Sequence, residues 1–270
     1  MSDDKVTREM EVLRWRDGTV SREPDVIAEE ASVTFHVEPL GILDIVMAPE
    51  SLHEFILGHL FNEGLIARRD ELLDVSVADR GDRLEALVEL DPALVARAEA
   101  EGTLEGGHRR GLIQTECGAP PAWPTRPLEP MVKRLGMSAE AISSIPKALK
   151  DRTRLFTETG AFHYAFLVDR QGWPEVEAFD IGRHTAVDKA VGKALLAGMD
   201  LGSHALFTTG RISSDVARKC VRAGIPVVIS RGAPLGRAID IGRENELGIV
   251  GFLRGGRFNV YAGEAHFNLD

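Results

Sequence analysis

The chain has 270 residues and a mass of 29.5 kDa, and its 44% hydrophobic and 27% charged residues are typical of a globular protein rather than a disordered or fibrous one. No apolar run approaches the ~20 residues of a membrane span, and the polar first residues lack the apolar segment of a secretory signal. Because Cys117 and Cys220 cannot form a disulfide framework, we expect a cytoplasmic protein with no membrane partner.

The formal net charge of −10 is divided unequally along the chain. Residues 1–105 hold 25 acidic and 10 basic side chains, a net −15, whereas residues 106–270 hold 17 acidic and 22 basic, a net +5. The overall charge argues against nucleic acid as a partner. Only the second part has an excess of cations with which to hold an anionic ligand.

Residues 1–110 predict an α+β domain of short strands and one helix. Apolar residues that alternate or run together around Gly-containing turns predict two strand pairs. The predicted strands are 32–37 with 42–47, and 73–79 with 83–90.

A helix is predicted between the two strand pairs, over residues 51–66, because apolar residues recur there at helical spacing. Ser51 with Glu54 matches the pattern of a capping box at its start. Gly64 stands where a C-terminal cap is expected.

Residues 111–150 predict a cysteine-bearing, proline-rich loop followed by linker helices. Five of the thirteen prolines fall within residues 120–130, a density that no helix or central strand accepts. The amphipathic stretch from Met131 to Lys150 predicts one or two helices.

Residues 151–270 predict an α/β domain, in which short apolar strands alternate with longer amphipathic helices. This pattern indicates a partly parallel sheet covered on both faces, with ligand-binding loops at the strand ends. Strands are predicted at 162–169, 175–179, 204–210, 225–230, 247–255 and 258–262, and helices at 185–198, 213–224 and 233–245.

The two cysteines predict different roles. Cys117 lies in the Gly- and Pro-bounded loop, seven residues after Arg110, where a cationic neighbour would favour a reactive thiolate. An incidental loop cysteine is the alternative. Cys220 follows Val216 by one helical turn, which predicts a buried small hydrophobic side chain.

A dense polar cluster surrounds Gly182, Arg183 and His184. A tight turn, a cation and the free amides of a helix start together suit a phosphate group. Here we expect Thr185 and Asp188 to cap the helix, with Arg183 and His184 just ahead of it. A capped helix with a surface arginine is the alternative interpretation.

Two further Gly-Arg turns repeat this theme. Gly210 and Arg211 follow a predicted strand and precede a helix that Ser213 or Ser214 would cap, and neighbouring strand ends converge in a doubly wound sheet. Arg254 and Arg257 flank a Gly-Gly pair, which suits either close approach to a ligand or a simple hairpin turn. No histidine or cysteine spacing matches a zinc site, so no metal is predicted.

The chain resembles the FdhD/NarQ family of formate dehydrogenase accessory sulfurtransferases from about residue 30 to residue 262. The resemblance rests on segments in the family's order and spacing: ILGHLFNEGLI, RRGLIQTECG, TGAFHYAF, FDIGRHTAVDKAVGKAL, TTGRISSDVARKCVRAGIPVVIS and GFLRGGRFNVY. It implies a three-layer α/β/α fold for the C-terminal domain, similar to cytidine deaminases but without their zinc, and a homodimer.

The family resemblance also implies a function and a site. Members accept sulfur from a cysteine desulfurase as a persulfide on a loop cysteine, here Cys117. They pass it to the molybdenum cofactor Mo-bis(molybdopterin guanine dinucleotide) for formate dehydrogenase or a related enzyme. By motif, the cofactor-binding segment is Phe252, Leu253, Arg254, Gly255, Gly256 and Arg257, to which we add Arg183, His184, Gly210 and Arg211. GDP or GTP is expected to occupy the same site.

This sequence departs from the family pattern at four positions. Pro120 replaces the second cysteine of the loop motif, and Phe179, Thr185 and Leu235 replace other usual residues. A persulfide on Cys117 alone remains chemically sufficient, because its terminal sulfur is the transferable atom. The alternatives are a chaperone that binds the guanine nucleotide cofactor but has lost sulfur transfer, and a hydrolase pairing Cys117 with His163 or His184.

Overall fold

A computed structural model describes residues 5–39, 41–100, 109–112 and 127–269. The helices are α1 (Leu52–Asn62), α2 (Pro92–Ala100), α3 (Ala139–Ala148), α4 (Arg154–Thr159), α5 (Arg183–Leu196), α6 (Ser214–Ala223) and α7 (Gly236–Glu244). The strands are β1 (Thr7–Arg16), β2 (Thr19–Ala28), β3 (Ala31–Val37), β4 (Gly41–Met47), β5 (Leu72–Asp79), β6 (Leu84–Leu90), β7 (Arg109–Leu112), β8 (Met137–Ser138), β9 (His163–Val168), β10 (Pro174–Asp180), β11 (Ala205–Thr208), β12 (Val227–Ser230), β13 (Gly248–Arg254), β14 (Arg257–Ala262) and β15 (Phe267–Asn268).

The first large sheet, called here the N-terminal sheet, has the strand order β5-β6-β3-β4-β7. Both predicted strand pairs are confirmed, because β3 pairs with β4 and β5 with β6, each antiparallel. Every second residue of β3, β4 and β6 is buried, as expected for a sheet covered on one face. Helix α1 packs on that face through Phe55, Ile56 and Leu60.

Helix α1 lies close to the predicted position, but its start differs from the prediction. Ser51 has a φ of +56° and makes no side-chain capping bond, so the capping box with Glu54 is wrong: the left-handed backbone turns the Ser51 hydroxyl away from the first turn. The C-terminal prediction is confirmed. Gly64 has a φ of +76°, and its N–H donates to Phe61 O while that of Leu65 donates to Leu60 O, as in a Schellman motif.

The second large sheet, the C-terminal sheet, has the order β10-β9-β11-β12-β13-β14. Strands β11, β12 and β13 are parallel, whereas β9 and β14 run antiparallel to their neighbours. The partly parallel sheet predicted from the sequence is thus confirmed.

Helices cover both faces of the C-terminal sheet. One face packs against α5, α6 and α7, in a core that includes Ala190, Val216 and Ala238. The other face packs against α3 and α4 through Ile142, Ile145 and Leu155. This arrangement has the α/β/α layers that the sequence predicts.

Helix α1 joins the two sheets, because its second face packs on α5. A Cβ on Gly58 would overlap the carbonyl oxygen of Asp188, and a Cβ on Gly192 would overlap that of Glu54. These two glycines therefore allow the helix backbones to touch. The layers follow in the order N-terminal sheet, α1, α5 with α6 and α7, C-terminal sheet, then α3 with α4.

Two regions differ from the sequence predictions. Residues 131–136 are not helical, and the linker helix α3 begins only at Ala139, where Ser138 caps it by accepting from the N–H of Ala141. The β1–β2 hairpin was not predicted, because charged residues interrupt the apolar residues of both strands. Of the helices in the described ranges, none has the length and apolar character needed to cross a membrane.

Candidate functional site

Turns that follow four strands meet at one end of the C-terminal sheet, which we call the loop edge. The register aligns Asp180 with His163 and Thr208 with Ala165, so β10 and β11 end at the same edge, one on each side of β9. Strands β12 and β13 run parallel to β11 and end at the same edge. The Gly-Arg turns at 182–183 and 210–211 are therefore brought together here.

The first turn leads directly into α5, which begins at Arg183 with Gly182 as its N-cap. The predicted cap by Thr185 and Asp188 is wrong, since both side chains are buried inside the helix packing. Arg183 and His184 form the first turn itself instead of preceding it. Because Gly182 has no side chain that could cap this end of α5, the first-turn N–H groups are left for other acceptors, such as an anionic ligand.

Arg183 packs against the second Gly-Arg turn. A Cβ placed on Gly210 would lie 2.9 Å from the Cβ of Arg183, a separation that real Cβ atoms avoid. The Nε of Arg183 is shielded from water and finds no acceptor among the described residues. Burial lowers the pKa of Arg183, and the neighbouring charge of Arg211 lowers it further. An anion between the guanidinium groups would relieve their repulsion and accept the unpaired donor.

His184 connects the starts of α5 and α6. Its Nε2 is 3.0 Å from the Oγ of Ser213, the N-cap of α6, and its Nδ1 is 3.6 Å from Asp215. Burial lowers the pKa of His184 despite the opposing charge of Asp215. His184 therefore holds two helix starts together.

Hydrogen bonds brace the loops that follow β11 and β12. The Oγ of Ser230 donates to the carbonyl of Gly210 at 2.5 Å and accepts from the N–H of Gly232 at 2.8 Å. The N–H of Gly210 donates to Thr208 Oγ1 at 3.1 Å, and that of Phe252 donates to Gly232 O at 3.0 Å. These bonds hold the backbone of the loop edge in one arrangement.

The segment Phe252–Arg257 forms the end of β13 and the start of β14 at the same edge. Phe252 has a φ of +55° and is 42% exposed, a strained backbone position of the kind that clusters at functional sites. Leu253 is fully buried in the core, so this residue of the predicted cofactor-binding segment presents no surface to a ligand. Arg254 and Arg257 are exposed and paired across the turn at Gly255 and Gly256.

Behind the loop edge lies a buried ion pair that the sequence reasoning missed. Lys189 Nζ and Asp180 Oδ2 are 2.6 Å apart, and both side chains are shielded from water. Asp180 also accepts from the N–H groups of Gly182 at 2.9 Å and Ala48 at 3.1 Å. The pair thus holds the turn before α5 against the end of β4. Its signal in the sequence was a lysine within the apolar run of α5.

A second buried cluster joins α1, α5 and α6. Asp188 accepts from Lys219 at 2.9 Å and Asn62 at 2.7 Å and lies 3.2 Å from His59 Nδ1, while Lys219 also contacts Glu63 at 3.2 Å. Burial alone would raise the pKa of Asp188, but the charge of Lys219 and the hydrogen bonds of His59 and Asn62 bring it to about 2.

His163, considered as a hydrolase residue, lies at the loop edge in the entry to β9. Its Nδ1 is 3.3 Å from Thr209 Oγ1, which accepts from the N–H of Tyr164 at 3.0 Å. Burial lowers the pKa of His163. Within the described ranges, no group of three His, Cys, Asp or Glu side chains is placed to hold a metal ion.

The two cysteines contrast in what the structure shows. Cys220 is fully buried in α6, as predicted, and burial raises the pKa of its thiol. Cys117, together with residues 113–126, lies outside the described residues. Strand β7, which pairs in parallel with β4, ends at Leu112, five residues before Cys117.

The chain is similar to known proteins over nearly its whole length. A family model described as the FdhD/NarQ family matches residues 28–268. A protein named sulfur carrier protein FdhD from Streptomyces avermitilis is 32% identical, with 98% of this chain and 97% of the relative covered. A protein of the same name from Bacillus subtilis is 29% identical, with 96% of both covered.

A solved structure supports the fold. The crystal structure of a protein described as a formate dehydrogenase accessory protein from Desulfotalea psychrophila matches with a TM-score of 0.72. The match covers 97% of this chain and 100% of the other at 22% identity. At this identity the likeness establishes the shared α/β fold alone.

Proposed function

Because the chain belongs to the FdhD/NarQ family, we propose that it is a sulfur carrier protein that serves formate dehydrogenase or a related molybdenum or tungsten enzyme. A cysteine desulfurase supplies sulfur as a persulfide on Cys117, and the substrate that receives it is Mo-bis(molybdopterin guanine dinucleotide). One observation supports the binding half of this proposal: Arg183 and Arg211 lie close together at the loop edge. The Nε of Arg183 is buried there and meets no acceptor among the described residues.

Sulfur loading needs only one cysteine on the acceptor. The Cys117 thiolate attacks the terminal sulfur of the donor persulfide, a new S–S bond forms on Cys117, and the donor S–S bond breaks. The bonding electron pair leaves with the donor cysteine as its thiolate, so no external oxidant or reductant is required. The absence of the family's second loop cysteine therefore leaves this step intact.

The loop edge is assigned to the guanine nucleotide part of the cofactor substrate. Arginine binds phosphate oxygens in a bidentate manner, and Arg183 and Arg211 stand beside the uncapped start of α5. Gly255 and Gly256 leave room for close backbone approach, whereas Gly210 is buried against Arg183. Phe252 offers an exposed ring, and His184 holds the two helix starts that carry the phosphate donors. GDP and GTP would bind the same groups.

The proposal extends to assembly and compartment. Family resemblance suggests a homodimer, which the molar mass in solution would test. A reducing cytoplasm suits the chemistry, because thiols there are kept free for exchange.

The sulfur-carrier role is tested by loading the protein with a desulfurase and cysteine, followed by intact mass measurement. We expect a gain of ~32 Da, the mass of one persulfide sulfur, in the parent protein and in Cys220→Ala, and no gain in Cys117→Ala. A parent protein that gains no sulfur would exclude the role.

The nucleotide site is tested by calorimetry with GDP. Arg183→Ala and Arg211→Ala should each weaken binding by about 1.5–3 kcal/mol, the loss expected for a charge-assisted hydrogen bond. Arg243→Ala is the matched control, since Arg243 is exposed in the last turn of α7. Unchanged affinity in both loop-edge variants would remove the proposed site.

The second candidate function is a chaperone that binds the guanine nucleotide cofactor without carrying sulfur. The replacement of the second loop cysteine by Pro120 is the observation that favours it. In this case GDP binds as above, but Cys117→Ala leaves maturation of the dependent enzyme unchanged. The same two experiments therefore separate the candidates.

A further inference from the structure

Within the part of the chain that the structure describes, helices cover the N-terminal sheet on one face, and the opposite, outer face forms a continuous surface beside the strand that leads to Cys117. The face is the side of the sheet opposite α1. Pairing registers place Leu87 of β6 opposite His36 of β3, His36 opposite Ile42 of β4, and Ile42 opposite Arg110 of β7. A single row of residues thus crosses the sheet from β6, in the β5–β6 hairpin, to β7.

The centre of the outer face carries apolar side chains that are exposed to solvent. Leu87 is 58% exposed although it lies on an interior strand, and Ile42 and His36 continue the row half-exposed. Exposed apolar side chains flanked by charges are typical of protein-binding surfaces.

Acidic side chains surround Leu87. Glu85 precedes Leu87 and Glu89 follows it on the same face of β6, and Asp74 of β5 lies opposite Glu89. Arg80 and Arg83 neutralise only Glu85, with N···O distances of 2.9 and 3.0 Å. Among the described residues, no cation pairs with Asp74 or Glu89, so this end of the face keeps a negative charge.

Covalent geometry limits how far Cys117 can lie from the end of β7. Cys117 follows Leu112 by five residues, and an extended chain covers at most about 3.6 Å per residue, or about 18 Å. Adjacent strands are about 4.8 Å apart, so the three strand steps from Leu87 to β7 span about 15 Å. One docked protein can therefore contact the outer face and extend past the end of β7, from which the chain continues to Cys117.

We propose that the outer face of the N-terminal sheet is the docking surface for the protein that loads sulfur onto Cys117, and that this donor presents a basic surface around its own persulfide. The inference rests on the proposed function, because it assigns a partner to the Cys117 chemistry. Charge complementarity selects the partner: Asp74 and Glu89 attract cations and repel other acidic surfaces. Leu87 supplies an apolar contact at the centre of the interface.

The experiment compares two sulfur sources for the same cysteine. A cysteine desulfurase with cysteine must dock before it transfers sulfur, whereas inorganic polysulfide is small and needs no docking surface. The variants are Asp74→Lys with Glu89→Lys, and Leu87→Asp, all at exposed positions. Persulfide on Cys117 is followed over time by intact mass.

We expect both variants to load from the desulfurase at least about tenfold more slowly than the parent. The charge-reversal variant loses electrostatic steering of the basic donor, and Leu87→Asp loses the apolar contact. Loading from polysulfide should match the parent protein, and a gain of a single sulfur, with Cys220 still buried and unmodified, also shows that the variants fold. Raising the salt concentration should slow desulfurase loading of the parent and leave the charge-reversal variant little changed.

The matched control is Asp240→Lys with Glu244→Lys, which makes the same charge change at exposed positions of α7. It should load at the parental rate from both sources. Desulfurase loading of the outer-face variants at the parental rate would overturn the docking surface and leave the carrier role standing. A parent protein that loads from neither source would instead overturn the carrier role and, with it, the docking surface.

Discussion

The two large sheets of this protein differ in how much of each is covered. The C-terminal sheet has helices on both faces. The groups that it presents to a ligand therefore lie at the loop edge, beside Arg183 and Arg211. The N-terminal sheet has α1 on one face and an open outer face with Leu87 at its centre. A sheet that is covered on both faces thus has its edge available to a ligand, whereas a sheet that is covered on one face has the other face available to a protein partner.

The charges follow the same division. The part with the open face carries the acidic excess, and the part with the loop edge carries the basic one. An edge rich in arginine suits a small polyanionic ligand, whereas an acidic face around an apolar centre suits a basic protein. Helix α1, buried between the sheets, makes the two halves one packed structure.

The largest expected effect is at the cluster that joins the halves. In Lys219→Met, the buried carboxylate of Asp188 loses its cation while Glu63 keeps its longer contact with Arg222, and the free energy of unfolding should fall by about 3–5 kcal/mol. Urea unfolding measures the change. Lys133→Met, which breaks an exposed pair with Asp200, should cost at most about 1 kcal/mol. If both variants lost the same free energy of unfolding, the buried cluster around Asp188 and Lys219 would stabilise the protein no more than an exposed ion pair does.

A larger side chain at the contact between α1 and α5 should push these two helices apart. In Gly192→Ala the new methyl overlaps the backbone of α1, so we expect a loss of about 2–3 kcal/mol, the range for overpacking. Gly236→Ala is the control, because a Cβ there meets no atom within 4 Å. Thermal unfolding followed by circular dichroism would reveal the difference, and similar melting temperatures would contradict the close approach of α1 and α5.

Acid should weaken the same joint. The pKa of Asp188 is about 2 in the folded protein, below its ordinary value of 3.8, so its contribution is present above about pH 4 and is lost as the pH falls through 2. The loss amounts to about 2 kcal/mol. Unfolding free energies measured between pH 5 and pH 2 should fall less steeply in Asp188→Asn than in the parent. Parallel curves would contradict the low pKa.

The smallest expected effect compares one helix start from each half. Ser213 caps α6, accepting from the N–H of Val216, so Ser213→Ala should cost about 1 kcal/mol. Ser51 precedes α1 without a capping bond, and Ser51→Ala should change stability by at most about 0.5 kcal/mol. If chemical denaturation gave the reverse order, the assignment of the two caps would be wrong.

Much of the fold could be predicted from local patterns. The pairs β3–β4, β5–β6 and β9–β10, the parallel strands β11 to β13 and the burial of Cys220 all follow from apolar periodicity, which reports on neighbours along the chain. The helix starts were harder. Ser51 and Glu54 match a capping box as well as any local pattern can, but the left-handed backbone at Ser51, imposed by the route from β4 into α1, prevents the bond.

The candidate site was predictable by motif and not by geometry. Gly182–Arg183 and Gly210–Arg211 were recognised as similar turns, yet only the folded structure, in which β10 and β11 flank β9 and Arg183 packs against Gly210, shows that they adjoin. The buried pairs Asp180–Lys189 and Asp188–Lys219 carried little sequence signal, because their partners and further contacts come from distant parts of the chain.

The sequence by itself determined the order of strands and helices, the acidic and basic halves, and the motifs that place the chain in its family. These properties depend on residues a few positions apart, whose interactions are repeated along each element. Only the tertiary structure decided which face of the N-terminal sheet stays open, that α1 serves both sheets, and that Asp188 meets Asn62 across 126 residues of chain. Such contacts depend on how whole elements pack, and no local pattern specifies them.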